Sequence, residues 1–211
     1  MTKAVQIPLM EEVGDPQTRR EGDFYETRRW QMAVLLTRVH LDPSWTYVEP
    51  AAGNGAIVKM LQAQRLQKVW TNDVVQREMP LLSTADATDP ATWRRMRDAM
   101  GHIDVTLTNM PFVLAFPMIQ LAVEYSRRAV IALLRRTWDE PTIERNEWLA
   151  AHPCTAQIVP PRADYRGTGS GESATHAWFI WAKDRSIIRK PHDVVPIREA
   201  ETFAAQYGEK L

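Results

Sequence analysis

The 211-residue chain contains a single cysteine, Cys154, so no internal disulfide can form. Its five histidines, at positions 40, 102, 152, 176 and 192, fall at none of the spacings that metal ligands adopt. Both absences predict a reducing, cytoplasmic setting and no metal centre. There is no excess charge of either sign: 26 Lys and Arg balance 26 Asp and Glu. That excludes attraction of nucleic acid by a whole-protein field and leaves only local clusters to make such contacts. No apolar run reaches the roughly eighteen residues that a membrane span requires. The N-terminus mixes Lys3 with Glu11, Glu12 and Asp15 and has no signal-peptide core, so neither membrane insertion nor secretion by that route is expected.

The composition, 45% apolar and 25% charged, suits one α/β domain with a sizeable core. Residues 1–22 are polar, carry Pro8, Gly14 and Pro16, and lack periodicity, which predicts a flexible N-terminal arm. The main domain is expected over 23–190, followed by a C-terminal extension over 191–211. Trp30, Val34, Leu35 and Val39 repeat at helical spacing until Pro43, giving a helix over 28–40. Short apolar runs at 47–48, 68–72, 81–84, 103–108 and 130–134 predict strands. Helical stretches at 56–65, 90–100 and 116–127 lie between them, the second capped by Asp89. This alternation implies a doubly wound, mostly parallel sheet. Residues 155–159 and 175–182 then suggest an antiparallel pair at the C-terminal edge, joined by the glycine-containing loop RGTGSGES.

Residues 45–58, WTYVEPAAGNGAIV, place a glycine turn after the first strand, where a parallel sheet lets backbone approach a ligand. Gly53 and Gly55 occupy that turn, and Ala51 precedes it. A dinucleotide fingerprint needs a small residue at position 58, which is Val58, and no Gly-Lys-Ser/Thr phosphate loop follows. A pyrophosphate ligand is therefore disfavoured. Asp73, twenty residues beyond Gly53, is placed to accept hydrogen bonds from both hydroxyls of a ribose. Glu49 can face a positive amino group, and Asp86 can accept from an adenine amine. A cofactor with adenine, ribose and a cationic amino-acid end, but no phosphate, is S-adenosylmethionine. The alternative is that Glu49 only caps the turn and Asp73 only starts the next segment.

Residues 104–112, DVTLTNMPF, end a buried strand with Asn109, Met110, Pro111 and Phe112. The Asn109 side-chain oxygen and the Met110 carbonyl supply two acceptors, and Phe112 supplies a stacking face. Such a group can hold a flat amine and draw on both of its hydrogens, favouring a tetrahedral nitrogen able to accept a methyl group. The alternative is a strand-to-loop turn with a capping asparagine and a buried phenylalanine.

EPAAGNG followed by TNMPF resembles the Rossmann-like class I S-adenosylmethionine-dependent amino-methyltransferases, whose second signature is Asn/Asp-Pro-Pro-Tyr/Phe. DFYET at 23–27 is similar to an element of phage- and prophage-type DNA N6-adenine methyltransferases, and SATHAWFIW at 173–181 resembles their late strand. The order of signatures resembles the gamma arrangement, and the likeness spans roughly residues 23–185. It implies that Phe24, Tyr25 and Thr27 help bind the methionine end of the cofactor, with Glu49, Ala51, Gly53, Asp73 and Asp86 around the rest. By the same resemblance Asn109, Pro111 and Phe112 belong to the catalytic pocket. The first proline of the signature is Met110 here: the backbone carbonyl survives that change, but proline's fixed φ does not.

The substrate this implies is adenine in DNA, flipped from a duplex or presented in a single strand. Arg127, Arg128, Arg135 and Arg136, and a surplus of three positive charges over 158–191 (six Lys and Arg against three Asp and Glu), are candidate backbone contacts, a solvated face being the alternative. Trp138, Trp148 and Tyr165 are candidates for stacking on bases, or else for core packing. Little room is expected for a separate target-recognition domain. An RNA base, a protein glutamine, and cofactor binding without catalysis remain alternatives, while the oligomeric state is left open.

Overall fold

The computed structural model describes residues 26–164 and 175–211. The chain order is α1 (Arg29–Arg38), β1 (Tyr47–Glu49), α2 (Ala56–Ala63), β2 (Val69–Asp73), β3 (Ser83–Thr84), α3 (Pro90–Met100), β4 (Ile103–Thr108), α4 (Ala115–Tyr125), β5 (Ser126–Arg135), α5 (Asn146–Ala151), β6 (Ala156–Val159), β7 (His176–Ala182), β8 (His192–Val194) and α6 (Ile197–Gln206). One turn of 3₁₀ helix at Phe112–Leu114 leads into α4.

The eight strands form one sheet in the order β3-β2-β1-β4-β5-β7-β6-β8. Neighbours from β3 to β5 pair in parallel; β7 runs against β5 and β6, and β8 returns parallel to β6. The expected antiparallel pair is thus present, but β8 lies outside it. That strand escaped the sequence reading because His192–Val194 offers three residues without apolar alternation.

Alternating side chains divide the core into two layers. Ala129, Ile131 and Leu133 of β5 join Trp178 and Ile180 of β7, Leu35 of α1 and Ala200 and Ala204 of α6 on one face. Val130, Ala132 and Leu134 join Phe179 and Trp181, Trp93 and Met96 of α3 and Met118 and Ile119 of α4 on the other. A sheet buried on both faces explains why β4 and β7 are buried along their whole length.

The helix expected over 116–127 ends at Tyr125, because Ser126 already pairs with Ile103 and its hydroxyl meets Thr106 Oγ1 at 2.8 Å. Asp89 caps α3 as expected, accepting from the Ala91 amide at 2.8 Å. Residues 191–211 supply β8 and α6. The Arg38 guanidinium reaches Asp193 at 2.6 Å and Glu199 Oε2 at 2.8 Å, tying α1 to both. Glu209 accepts from the Trp30 amide at 3.1 Å and the Arg29 amide at 3.3 Å, giving the N-terminus of α1 the anion that its own first turn lacks.

Candidate active site

The strand order reverses between β1 and β4, so their carboxyl ends diverge and leave a crevice above the sheet. A pocket in that crevice is lined by Thr27, Glu49, Ala51, Gly53 and Asn109 from among the anticipated residues. Glu26 and Asn54 also line it, and neither carries a sequence signal beyond its neighbours.

Glu49, the last residue of β1, is 1% exposed, and neither carboxylate oxygen makes a close hydrogen bond. Burial pushes its pKa well above the usual carboxylate range; the Thr108 hydroxyl and the Ala51 amide pull the other way, and the charge of Asp73 adds to the push. The Thr108 hydroxyl is itself buried and makes no close hydrogen bond. Glu49 and Thr108 thus lie near one another at the crevice without a close hydrogen bond, and the carboxyl group keeps capacity to bind a ligand.

The turn after β1 needs its glycines: φ is 53° at Gly53 and 80° at Gly55, the left-handed region that other L residues enter at a cost. Asp73 Oδ2 accepts from the Gly53 amide at 2.8 Å and Oδ1 from the Val75 amide at 3.2 Å, so this carboxylate braces the glycine turn. A carboxylate has about four acceptor positions. Asp73 can therefore hold the turn and accept from a ligand together.

Asn72, fully buried beside Asp73, supports both loops: its amide nitrogen donates to the Pro50 carbonyl at 3.0 Å and the Ala85 carbonyl at 2.9 Å, and its oxygen accepts from Ser83. The sequence reading missed it, although a polar residue inside a short apolar strand is a usable signal. Asp86 is exposed and accepts from the Thr88 amide and hydroxyl, both at 2.8 Å, forming a turn outside the pocket lining.

Asn109 follows β4, and its amide nitrogen donates to the Thr27 hydroxyl at 3.1 Å. The segment before α1 and the NMPF turn, 82 residues apart, thereby meet at the pocket. Phe24 and Tyr25 lie outside the described residues, as do Tyr165 and the glycines of the RGTGSGES loop. Met110 points its side chain into the core at 1% exposure. The turn is thus anchored by burial where proline's ring would have restricted φ.

Phe112 lies beyond the pocket and borders an open cleft of about 530 Å³ with Val113, Phe116, Trp138, Ile143 and Arg145. The four-residue NMPF segment stands between pocket and cleft, with Asn109 on one side and Phe112 on the other.

The four arginines expected as backbone contacts divide between opposite ends of β5. Arg127 and Arg128, at its start, bind buried Asp104 at 2.9 and 3.1 Å, and Arg128 also binds Asp184 at 2.7 Å, away from the crevice. Arg135 and Arg136 stand at the site end. Trp138 is a core residue, edge-on to Phe179 and Trp181. Half-buried Trp148 packs against Phe116 and stacks on His152.

No protein-family model and no curated protein matches this sequence. Solved structures do share its fold. A protein assigned as the modification subunit of a type I restriction enzyme from Vibrio vulnificus YJ016 superposes with a TM-score of 0.54 at 15% identity, over 92% of this chain and 56% of its own. The methyltransferase subunit of a type I restriction-modification system from Streptococcus thermophilus gives 0.54 at 13% identity, over 90% and 54%. A protein assigned as a class I S-adenosylmethionine-dependent methyltransferase from Listeria monocytogenes gives 0.50 at 13%, over 85% and 68%. The chain spans little more than half the length of the two restriction-system proteins. At these identities the likeness is one of fold, and the fold is the Rossmann-like methyltransferase fold, a mostly parallel α/β sheet with an antiparallel strand toward its C-terminal edge.

Proposed function

We propose that this protein is an S-adenosylmethionine-dependent methyltransferase acting on the exocyclic N6 amino group of adenine in DNA. The observation that carries the reading is the convergence of Glu49, Gly53, Asn109 and Thr27 on one pocket, with the carboxyl group of Glu49 buried and making no close hydrogen bond. That donor set fits the cofactor. Glu49 would face its cationic end, the Gly53–Gly55 turn would admit it close to the backbone, and Asp73 would accept from its ribose. When bound, the cofactor supplies a methyl group on a positively charged sulfur.

The chain's own residues then act on the amine. Asn109 Nδ2 donates to the Thr27 hydroxyl, which holds the side chain at the pocket with Oδ1 as its acceptor end. That oxygen and the Met110 carbonyl accept the two hydrogens of the flat amine and so localise its lone pair. The amine proton becomes acidic only once nitrogen is alkylated, so no strong base is required before transfer. Relatives of fold that belong to restriction-modification systems support a DNA substrate.

The test is incubation with radiolabelled S-adenosylmethionine and, in separate reactions, duplex DNA, single-stranded DNA and RNA, followed by digestion and identification of the labelled nucleoside. N6-methyladenine from DNA is expected, and label in RNA alone would move the substrate. A second reading, a protein glutamine as acceptor, is favoured by the charge beside the cleft: residues 135–147 carry three arginines against four carboxylates. Label recovered in added polypeptide and in no nucleic acid would establish it.

A further inference from the structure

Phe112 sits on a single 3₁₀ turn next to the strongly exposed Val113, a poor support for a ring that must meet a flat substrate at a defined angle. Two residues from neighbouring strands contact it. The His176 imidazole stacks on the Phe112 ring with centroids 5.3 Å apart and planes inclined by 22°. The Arg135 guanidinium carbon lies 5.2 Å from the same centroid. His176 opens β7, Arg135 closes β5, and the two are cross-strand partners in the antiparallel register. The reversed direction of β7 matters here: it brings the first residue of that strand to the end of the sheet where the parallel strands finish.

Resting on the methyltransferase reading above, we propose that His176 is a positioning residue that sets the plane of the Phe112 ring against an acceptor nucleobase, with Arg135 as its exposed second support. His176 is buried on a strand paired along its length, so its ring moves little, and stacking transfers that rigidity to the loop. Arg135, exposed on a flexible stem, contributes a cation over the ring face. Burial, and then the nearby Arg135 charge, push the His176 pKa down to about 4, so the imidazole is neutral at neutral pH and does not repel the guanidinium.

The experiment compares the full chain with His176→Ala, His176→Phe, Phe112→Ala and the double alanine variant. Binding of a fluorescein-labelled, adenine-containing single-stranded 20-mer is read by anisotropy, cofactor binding by calorimetry, and methyl transfer by radiolabel. His176→Ala is expected to weaken oligonucleotide binding or raise KM about tenfold, with cofactor affinity unchanged within twofold. His176→Phe, which can still stack, should restore most of the loss. In the Phe112→Ala background His176→Ala should add less than twofold, because its effect runs through that ring. Additive losses, an equal loss of cofactor affinity, failure of phenylalanine to rescue, or no oligonucleotide binding by the unaltered chain would each overturn the proposal. Oligonucleotide binding with the expected coupling but no methyl transfer would support the positioning role and sink the enzymatic reading separately.

Discussion

Glu49 shows how one side chain can oppose stability and serve a site. Its folded-state pKa lies above the ordinary 4.5, so the fold holds a proton there and loses stability as the pH rises past that value. Glu49→Gln should therefore stabilise the ligand-free protein at pH 7 by about 1–3 kcal/mol while weakening S-adenosylmethionine binding. Urea midpoints and calorimetry on the same variant check both signs. Asn109→Ala should abolish methyl transfer and leave cofactor affinity within a few-fold. Met110→Ala leaves the acceptor carbonyl in place but empties a core position, and should cost about 2–5 kcal/mol in urea unfolding. Glu49 and Asn109 were visible as residue types beside a glycine turn and a buried strand. The pairing of Asn109 with Thr27 was not, since no local pattern connects positions 82 residues apart.

Among the elements, those with strong local signals follow the sequence most closely. The helix at Pro90–Met100 begins where Asp89 and Pro90 direct, and the strand at Ile103–Thr108 has the predicted ends. Asp89→Ala, removing the bond to the Ala91 amide, should cost about 0.5–2 kcal/mol by thermal unfolding. Strand β3 shrinks to two residues because its neighbourhood is held by side chains, Asn72 to Ser83 above all, more than by a ladder. β8 and the Glu209 anion at the start of α1 were not legible. One is too short to show a period, and the other is a contact between the two ends of the described chain.

Across the whole molecule, His176 and Asp104 withdraw stability in two stages on acidification, against the opposite trend of Glu49. His176, folded-state pKa about 4 against an ordinary 6.5, binds a proton more readily when unfolded, so stability is lost as the pH falls from about 6.5 towards 4. The loss approaches ~3 kcal/mol. Asp104 works below that range: burial pushes its pKa up, but the Thr46 amide and the Arg127 guanidinium outweigh it and hold it at about 2. Its contribution is present above the ordinary 3.8 and disappears as the pH falls through about 2. Urea midpoints from pH 7 to pH 3 should show the upper stage missing in His176→Gln. An unchanged profile in that variant would assign the upper stage to other groups.

Strand and helix alternation, the glycine turn, the acidic residues that end β1 and β2 and the NMPF turn are local patterns, and nearest-neighbour chemistry suffices to read them. Which arginines face the crevice, which tryptophans are core, and which residue stands behind Phe112 depend on strand direction and sheet order. Reversing β7 brings His176 to Arg135, whereas the length of β5 carries Arg127 and Arg128 to the far end of the sheet. Side chains respond to whatever the backbone brings near, and for residues far apart in the chain that proximity exists only after folding.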